Sequence, residues 1–164
     1  MMNYCVECGT KLEMKFLEGE GDVPFCPACN QFRFPIFNSA VSMIVQNPQR
    51  NKILLIKQYG RDRYILVAGY INRGEGAEDA VVREVKEEIG LDVGSLKFNK
   101  SKFFEKSNTL MNNFSCVAAS EDLSRMTKEV DIATWFTFEE AKNNIAHGSL
   151  AEEFLLAFLS KVEK

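Results

Sequence analysis

The 164 residues hold a single histidine and a single tryptophan, and no uninterrupted run of 18 apolar residues occurs. Without such a run a membrane-spanning helix is excluded. His147 has no serine or cysteine motif beside it, which argues against a hydrolase triad. No Gly-x-x-x-x-Gly-Lys stretch is present to form a phosphate-binding P-loop. A basic excess is missing too: the net charge is −3 and the pI about 5.3, so the chain has no general attraction to nucleic acid. The opening Met1-Met2-Asn3-Tyr4-Cys5 lacks a basic-then-apolar leader, and a cytoplasmic location is expected. Internal repeats and low-complexity segments are likewise absent. What is present is 46% hydrophobic residues, including 13 phenylalanines, enough for the core of one ordinary domain with a small appendage.

The five cysteines sort by spacing. Cys5-x-x-Cys8 and Cys26-x-x-Cys29 are separated by 17 residues, a spacing that fits four thiolates on one tetrahedral Zn²⁺. Two disulfides are the alternative, disfavoured in a reducing cytoplasm. A redox Cys-x-x-Cys is another, but no thioredoxin-like pattern surrounds either pair. Four thiolates leave no position for water, which makes a zinc site structural rather than catalytic. Residues 1–35 therefore read as a zinc ribbon, with short strands around Leu12–Leu17 and a turn at Gly19–Gly21. Lys11, Lys15 and Arg33 face five acids in this segment, so it lacks the charge of a nucleic-acid-binding ribbon. Phe32, Phe34 and Phe37 around Pro35 form a candidate apolar seam for packing or for a homodimer. Cys116 lies alone in an apolar run and reads as a buried core thiol.

The stretch that carries chemistry is Gly69–Leu91, GYINRGEGAEDAVVREVKEEIGL. On a helix with about 100° per residue, Glu84, Glu87 and Glu88 project within an arc of roughly 100°. Val81, Val85 and Ile89 form a neighbouring core-facing stripe. Crowded carboxylates repel unless a cation sits among them, and hard oxygen ligands suit Mg²⁺ or Mn²⁺, the companions of diphosphates. A solvated acidic helix would explain the charges alone, but not Gly69 and Glu75 at fixed distances ahead of them.

Gly69, five residues, Glu75, seven residues, then Arg83-Glu84-Val85-Lys86-Glu87-Glu88-Ile89-Gly90-Leu91 resembles the Nudix box, GX5EX7REUXEEXGU, at all nine specified positions. The resemblance implies a Nudix fold, of mixed α/β (α+β) class, with a mixed β-sheet sandwiched between helices over residues 36–164. It implies metal-dependent hydrolysis of a diphosphate linking a nucleoside to another group. Glu84, Glu87 and Glu88 would be the ligands of catalytic Mg²⁺ or Mn²⁺, with Glu87 or Glu88 as general base. Glu75 and Arg83 would support the loop and helix by a mutual ion pair, and the Gly69 carbonyl would be a further ligand.

A zinc ribbon directly before the box is similar to the NADH pyrophosphatase branch, in which a further N-terminal domain precedes the ribbon. That branch places an additional acidic metal ligand before a tryptophan. Glu129, ahead of Trp135, matches that place, and a solvated loop glutamate is the plainer alternative. The same branch carries SQPWPFPxS followed by Leu-Met; here the segment reads Ser101-Lys102-Phe103-Phe104-Glu105-Lys106-Ser107-Asn108-Thr109-Leu110-Met111. Every proline is gone, and Lys102, Glu105 and Lys106 replace neutral residues, so a rigid loop and a preference for NADH do not carry over. Phe103 or Phe104 would stack on a base; the alternative is an alternating strand with one aromatic buried. The expected partner is a small nucleotide substrate, NAD(H)-like or ADP-ribose-like, with NAD-capped RNA as a candidate. The rival class is a non-enzymatic nucleotide sensor or nucleic-acid-binding module, for which an eroded box and a basic ribbon would be expected.

The remaining elements follow from periodicity and punctuation. Strands are predicted at Ala40–Val45, Ile53–Gln58, Tyr64–Val67, Phe98–Glu105, Leu110–Ala119 and Ala133–Phe136. A helix is predicted over Ala77–Ile89, ended by Gly90. Two more helices begin with capping boxes at Thr137–Glu140 and Ser149–Glu152, the last burying Ala151, Phe154, Leu155, Phe158, Leu159 and Val162.

Overall fold

Alternation along the central strands decides the architecture. In strands buried on both sides, successive residues serve opposite faces of a sheet. In the computed structural model, which describes residues 3–162, β4 (Asn38–Gln46) sends Val41, Met43 and Val45 to one apolar cluster and Ile44 to another. The strand β5 (Lys52–Gln58) does the same with Leu54 and Ile56 against Ile53 and Leu55. The first cluster is covered by α1 (Ala77–Ile89) through Ala80, Val81, Val85 and Ile89. The second is covered by α2 (Phe138–Asn144) and α3 (Leu150–Val162) through Ala141, Phe154, Leu155, Phe158 and Leu159. A mixed sheet thus lies between helices. Val162 remains exposed, so the apolar stripe of α3 ends at Leu159.

The chain divides into two compact units, Met1–Phe37 and Asn38–Lys164. The first is a three-stranded antiparallel sheet of β1 (Glu13–Leu17), β2 (Gly21–Cys26) and β3 (Gln31–Phe32). In the second, the sheet runs β7 (Val93–Phe104), β8 (Thr109–Ala118), β4, β5 and β9 (Val130–Thr137), with β6 (Val67–Tyr70) paired to β4. The pair β4–β8 is parallel over Asn38–Gln46; the other pairs are antiparallel.

One detail of the pairing positions the site. β4 joins β5 only at Gln46–Ile53, and at its other end the same edge bonds β6, with Ala40 opposite Tyr70 and Val41 opposite Gly69. The Ala40 end of β4 therefore lies between Gly69–Tyr70 on one side and Met111 on the other.

Several boundaries differ from the sequence expectation. β7 begins at Val93, five residues before Phe98, and Glu105 belongs to a 3₁₀ turn with Lys106 and Ser107. Bulges between Gly94 and Lys97 and between Phe98 and Lys100 break the two-residue alternation that would have revealed the longer strand. β6 starts at Val67 and includes Gly69, while β9 starts at Val130 and leaves Glu129 at its mouth. Thr137 forms a full capping box with Glu140. Ser149 forms half of one: its hydroxyl accepts from the Glu152 N–H at 3.1 Å, but the Glu152 carboxylate turns to the Gly148 N–H and His147.

Candidate active site

Helix α1 carries the acidic motif because both of its ends are fixed. Glu78 and Asp79 complement the dipole at its start, and Gly90 closes it in the left-handed conformation at φ 78°. A side chain at Gly90 would also strike the Arg125 backbone oxygen at 2.7 Å. The helix lies against β6 at the glycine: a Cβ on Gly69 would sit 1.9 Å from the Glu84 carboxyl carbon. Glycine at position 69 is thus what lets the Glu84 carboxylate reach the strand.

Glu84, Glu88, Gly69 and Glu129 line one cavity of about 410 Å³, together with Tyr59, Tyr70 and Thr109. Glu88 is 5% exposed. Burial pushes its carboxyl up to about 7, and the nearby charges of Glu84, Glu129 and Glu87 add to the rise. The Gln58 amide opposes that rise without closing a hydrogen bond to the inner oxygen. Glu88 Oε2 and Gln58 Nε2 are both buried without a partner among the described residues. A buried carboxylate oxygen lacking a donor, in a cavity holding two more carboxylates, is a donor set that fits a hard divalent cation.

Arg83 organises the flank of this cavity. Its guanidinium donates to Glu75 Oε1 at 2.6 Å and Oε2 at 2.9 Å, to Glu84 at 2.7 Å, to Glu87 at 2.9 Å and to the Tyr70 carbonyl at 2.9 Å. The fork and the Asn72 N–H hold the Glu75 carboxyl down at about 2. Glu75 and Arg83 therefore brace the loop against the helix from outside the cavity. Glu87 stands on the exposed flank beside Arg83 and does not line the cavity.

Of the two phenylalanines singled out from the sequence, Phe104 lines a second cavity of about 420 Å³, and Phe103 lines neither. The two cavities share Ala68 and Met111 in their walls. Sequence reasoning missed Tyr59, Tyr70 and Arg63. Tyr59 and Gly60 occupy a turn closed by the Arg61 N–H to the Gln58 carbonyl, with φ of 57° and 65°. Such a turn favours asparagine or glycine at its first centre, and the Gly60 N–H is tied to Asp131 at 2.7 Å. The aromatic-glycine pair at 59–60 was the available signal. Tyr70 follows the box glycine directly, and Arg63 sits in a stretch without periodicity.

A group of four cysteines that could hold a metal ion is in the first unit. The sulfurs of Cys5, Cys8, Cys26 and Cys29 lie within 4.8 Å of one another, with Cys8–Cys29 at 3.3 Å, Cys8–Cys26 at 3.5 Å and Cys5–Cys29 at 3.9 Å. A tetrahedral metal with sulfur bonds of about 2.3 Å has edges of about 3.8 Å. The separations fit that polyhedron and are far too long for a disulfide near 2.0 Å. The Arg33 guanidinium, 3.2 Å from Cys5 Sγ, brings that thiol down to about 6, while hydrogen bonding among the thiols pushes Cys29 up to about 12. Cys116 is fully buried, and burial pushes its thiol up to about 12.

Sheet, box helix and carboxylate-lined cavity together define an α/β domain of Nudix architecture. The family model of the NUDIX domain matches residues 37–158, and the chain belongs to that family. It is similar to the NAD-capped RNA hydrolase NudC of Pseudomonas aeruginosa, with 28% identity over 96% of this chain and 56% of that protein. It is also similar to the human NAD-capped RNA hydrolase NUDT12, with 31% identity over 88% of this chain and 33% of that protein. The chain thus spans about half the length, or less, of these curated relatives. Among solved structures, a NUDIX hydrolase from Nitrosomonas europaea superposes with a TM-score of 0.71, covering 99% of this chain and 93% of the other at 21% identity, which shows the shared fold.

Proposed function

We propose that the chain is a Mg²⁺- or Mn²⁺-dependent pyrophosphatase that hydrolyses the diphosphate bond of a nucleoside diphosphate derivative, NAD(H)-like or ADP-ribose-like. One observation carries the reading: Glu88, a buried carboxylate with one unpartnered oxygen, lines the same cavity as Glu84 and Glu129. Glu84, Glu88, Glu129 and the Gly69 carbonyl would hold the cation. When bound, the cation neutralises the diphosphate and lowers the pKa of a coordinated water. Of the two candidate bases, Glu87 and Glu88, only Glu88 lines the cavity, and it would take the proton of the attacking water. Water adds to one phosphorus, the bridging P–O bond breaks, and two phosphate monoesters leave. Glu75 and Arg83 hold the loop and helix in place, and Glu87 adds charge from the flank. Phe104 borders the cavity for the second half of the substrate, while Tyr59 and Tyr70 border the first. The names of the NudC and NUDT12 relatives make NAD-capped RNA one member of the substrate class to test.

The four cysteines would bind structural Zn²⁺, with residues 1–35 as a zinc ribbon and 36–164 as the hydrolase domain. A cytoplasmic setting and a homodimer through the apolar seam of the ribbon belong to the same reading.

The test is a panel of NADH, NAD⁺, ADP-ribose, dinucleoside polyphosphates, CoA and NAD-capped RNA, with Mg²⁺ or Mn²⁺. Turnover of at least one, lowered a hundredfold or more in Glu88→Gln with the fold retained, is expected. No turnover by metal-loaded protein refutes the reading, and nucleotide binding without turnover would mark a sensor instead.

A further inference from the structure

The two adjoining cavities have opposite charge. All the ionised side chains lining the first are carboxylates, Glu84, Glu88 and Glu129. The second has no aspartate or glutamate in its wall and carries Arg63, Lys106 and His147. His147 is matched by Glu152 at 2.7 Å. Arg63 and Lys106 have no ion-pair partner among the described residues, and both are exposed at the rim. Leu150 and Ala151, in the first turn of the 13-residue α3, line the same cavity. Phe104, Met111 and Phe154 supply an apolar wall against which a base could lie.

We infer that this second cavity selects substrates bearing a negative charge beyond the diphosphate, a phosphate on the ribose of the half it receives, with Arg63 and Lys106 as the specificity-determining residues. The inference rests on the proposed hydrolase reading for the placement of the diphosphate. With a cation among Glu84, Glu88 and Glu129, the diphosphate is satisfied in the first cavity, so two unpaired cations next door address a different group. A half-substrate that is neutral beyond its ribose leaves them with nothing to bind. A ribose phosphate gains two charge-assisted contacts, the stronger kind of hydrogen bond. That phosphate has two sources: a phosphomonoester on a small nucleotide, or the first internucleotide diester at the 5′ end of an RNA.

Equilibrium binding by calorimetry tests this on the full chain, at low salt and fixed Mg²⁺. The probes are 5′-AMP as reference, then 2′,5′-ADP, 3′,5′-ADP and the dinucleotide pApA. At least one phosphorylated probe is expected to bind at least fivefold tighter than AMP, about 1 kcal/mol. The Arg63→Ala/Lys106→Ala variant should bring that ratio below twofold. Arg50→Ala/Lys97→Ala removes the same charge from a separate crevice lined by Gln46 and Val117, at the far ends of β4 and β8, and should keep the ratio. A gain by a bisphosphate assigns the monoester source; a gain by pApA alone assigns the RNA end. A ratio below fivefold for every probe overturns the inference, as does a ratio that survives loss of Arg63 and Lys106. Binding requires no turnover, so a chain that cleaves the diphosphate panel yet binds all probes alike keeps the hydrolase reading and loses this one.

Discussion

Glu88 is where the energetic conflict of this molecule is concentrated. Its carboxyl titrates near 4.5 in the unfolded chain and near 7 in the folded one. Between those values the folded state binds more protons, so stability falls as pH rises from about 4.5 to 7 and is level above. The shift corresponds to a cost of about 3 kcal/mol at pH 8 in metal-free protein. Glu88→Gln removes that cost, and thermal melts of the metal-free chain should show the variant gaining stability at pH 8 relative to pH 5. An unchanged pH profile would mean that Glu88 is solvated in the folded chain. Gly69 gives a second test at this scale. Gly69→Ala places a methyl 1.9 Å from the Glu84 carboxyl carbon, so the side chain must swing out of the cavity. Weaker Mn²⁺ binding, tenfold or more by titration, is expected; wild-type affinity would show that Glu84 is not a ligand. The residues of this site were legible to differing degrees. Spacing alone put Glu84, Glu87 and Glu88 on one arc, but which of them is buried depends on where β6 and Gln58 lie. Tyr59 and Arg63 gave no periodic signal because their loop has none.

Among the elements, helices were read more closely than strands, for a physical reason. A helix carries its own boundary chemistry: Gly90 ends α1 in the left-handed region, and Thr137 begins α2 through a reciprocal pair of bonds with Glu140, at 3.3 and 2.9 Å. Strand limits are set by partners distant in sequence. β6 includes Gly69 because β4 bonds to it there, and β7 begins at Val93, ahead of Phe98, and carries two bulges that no local pattern announces. The Ser149 box shows the limit of local chemistry, since Glu152 prefers His147 and the Gly148 N–H. Thr137→Ala should lower stability by about 1 kcal/mol in urea unfolding, with the slope unchanged. A change below a few tenths would mean that packing of Phe138 and Ala141, not the cap, fixes the start of α2.

At the scale of the whole molecule the two units are stabilised by different means. Asn38–Lys164 has two apolar clusters on either side of its sheet, whereas among the described residues the buried apolar set of the first unit is Cys5, Val23, Phe25 and Cys26. Two of those four are proposed metal ligands. So small a core cannot offset the entropy of ordering some 35 residues, and a metal on the four thiolates would supply the deficit. Arg33 serves the same end: its bond to Cys5 favours the thiolate that a metal requires, and its second arm reaches Glu7 at 2.6 Å. Metal analysis of protein prepared without chelators should therefore give about one zinc per chain. Lys11 and Lys15 are exposed on folded backbone, and removing the metal with a strong chelator should let that backbone unfold and be cut by trypsin within minutes, while a fragment from about residue 38 onward resists. Zinc-free protein in which Lys15 stays protected would show that the ribbon is held by something other than its thiolates, and a stoichiometry near zero in untreated protein would remove the metal from the account.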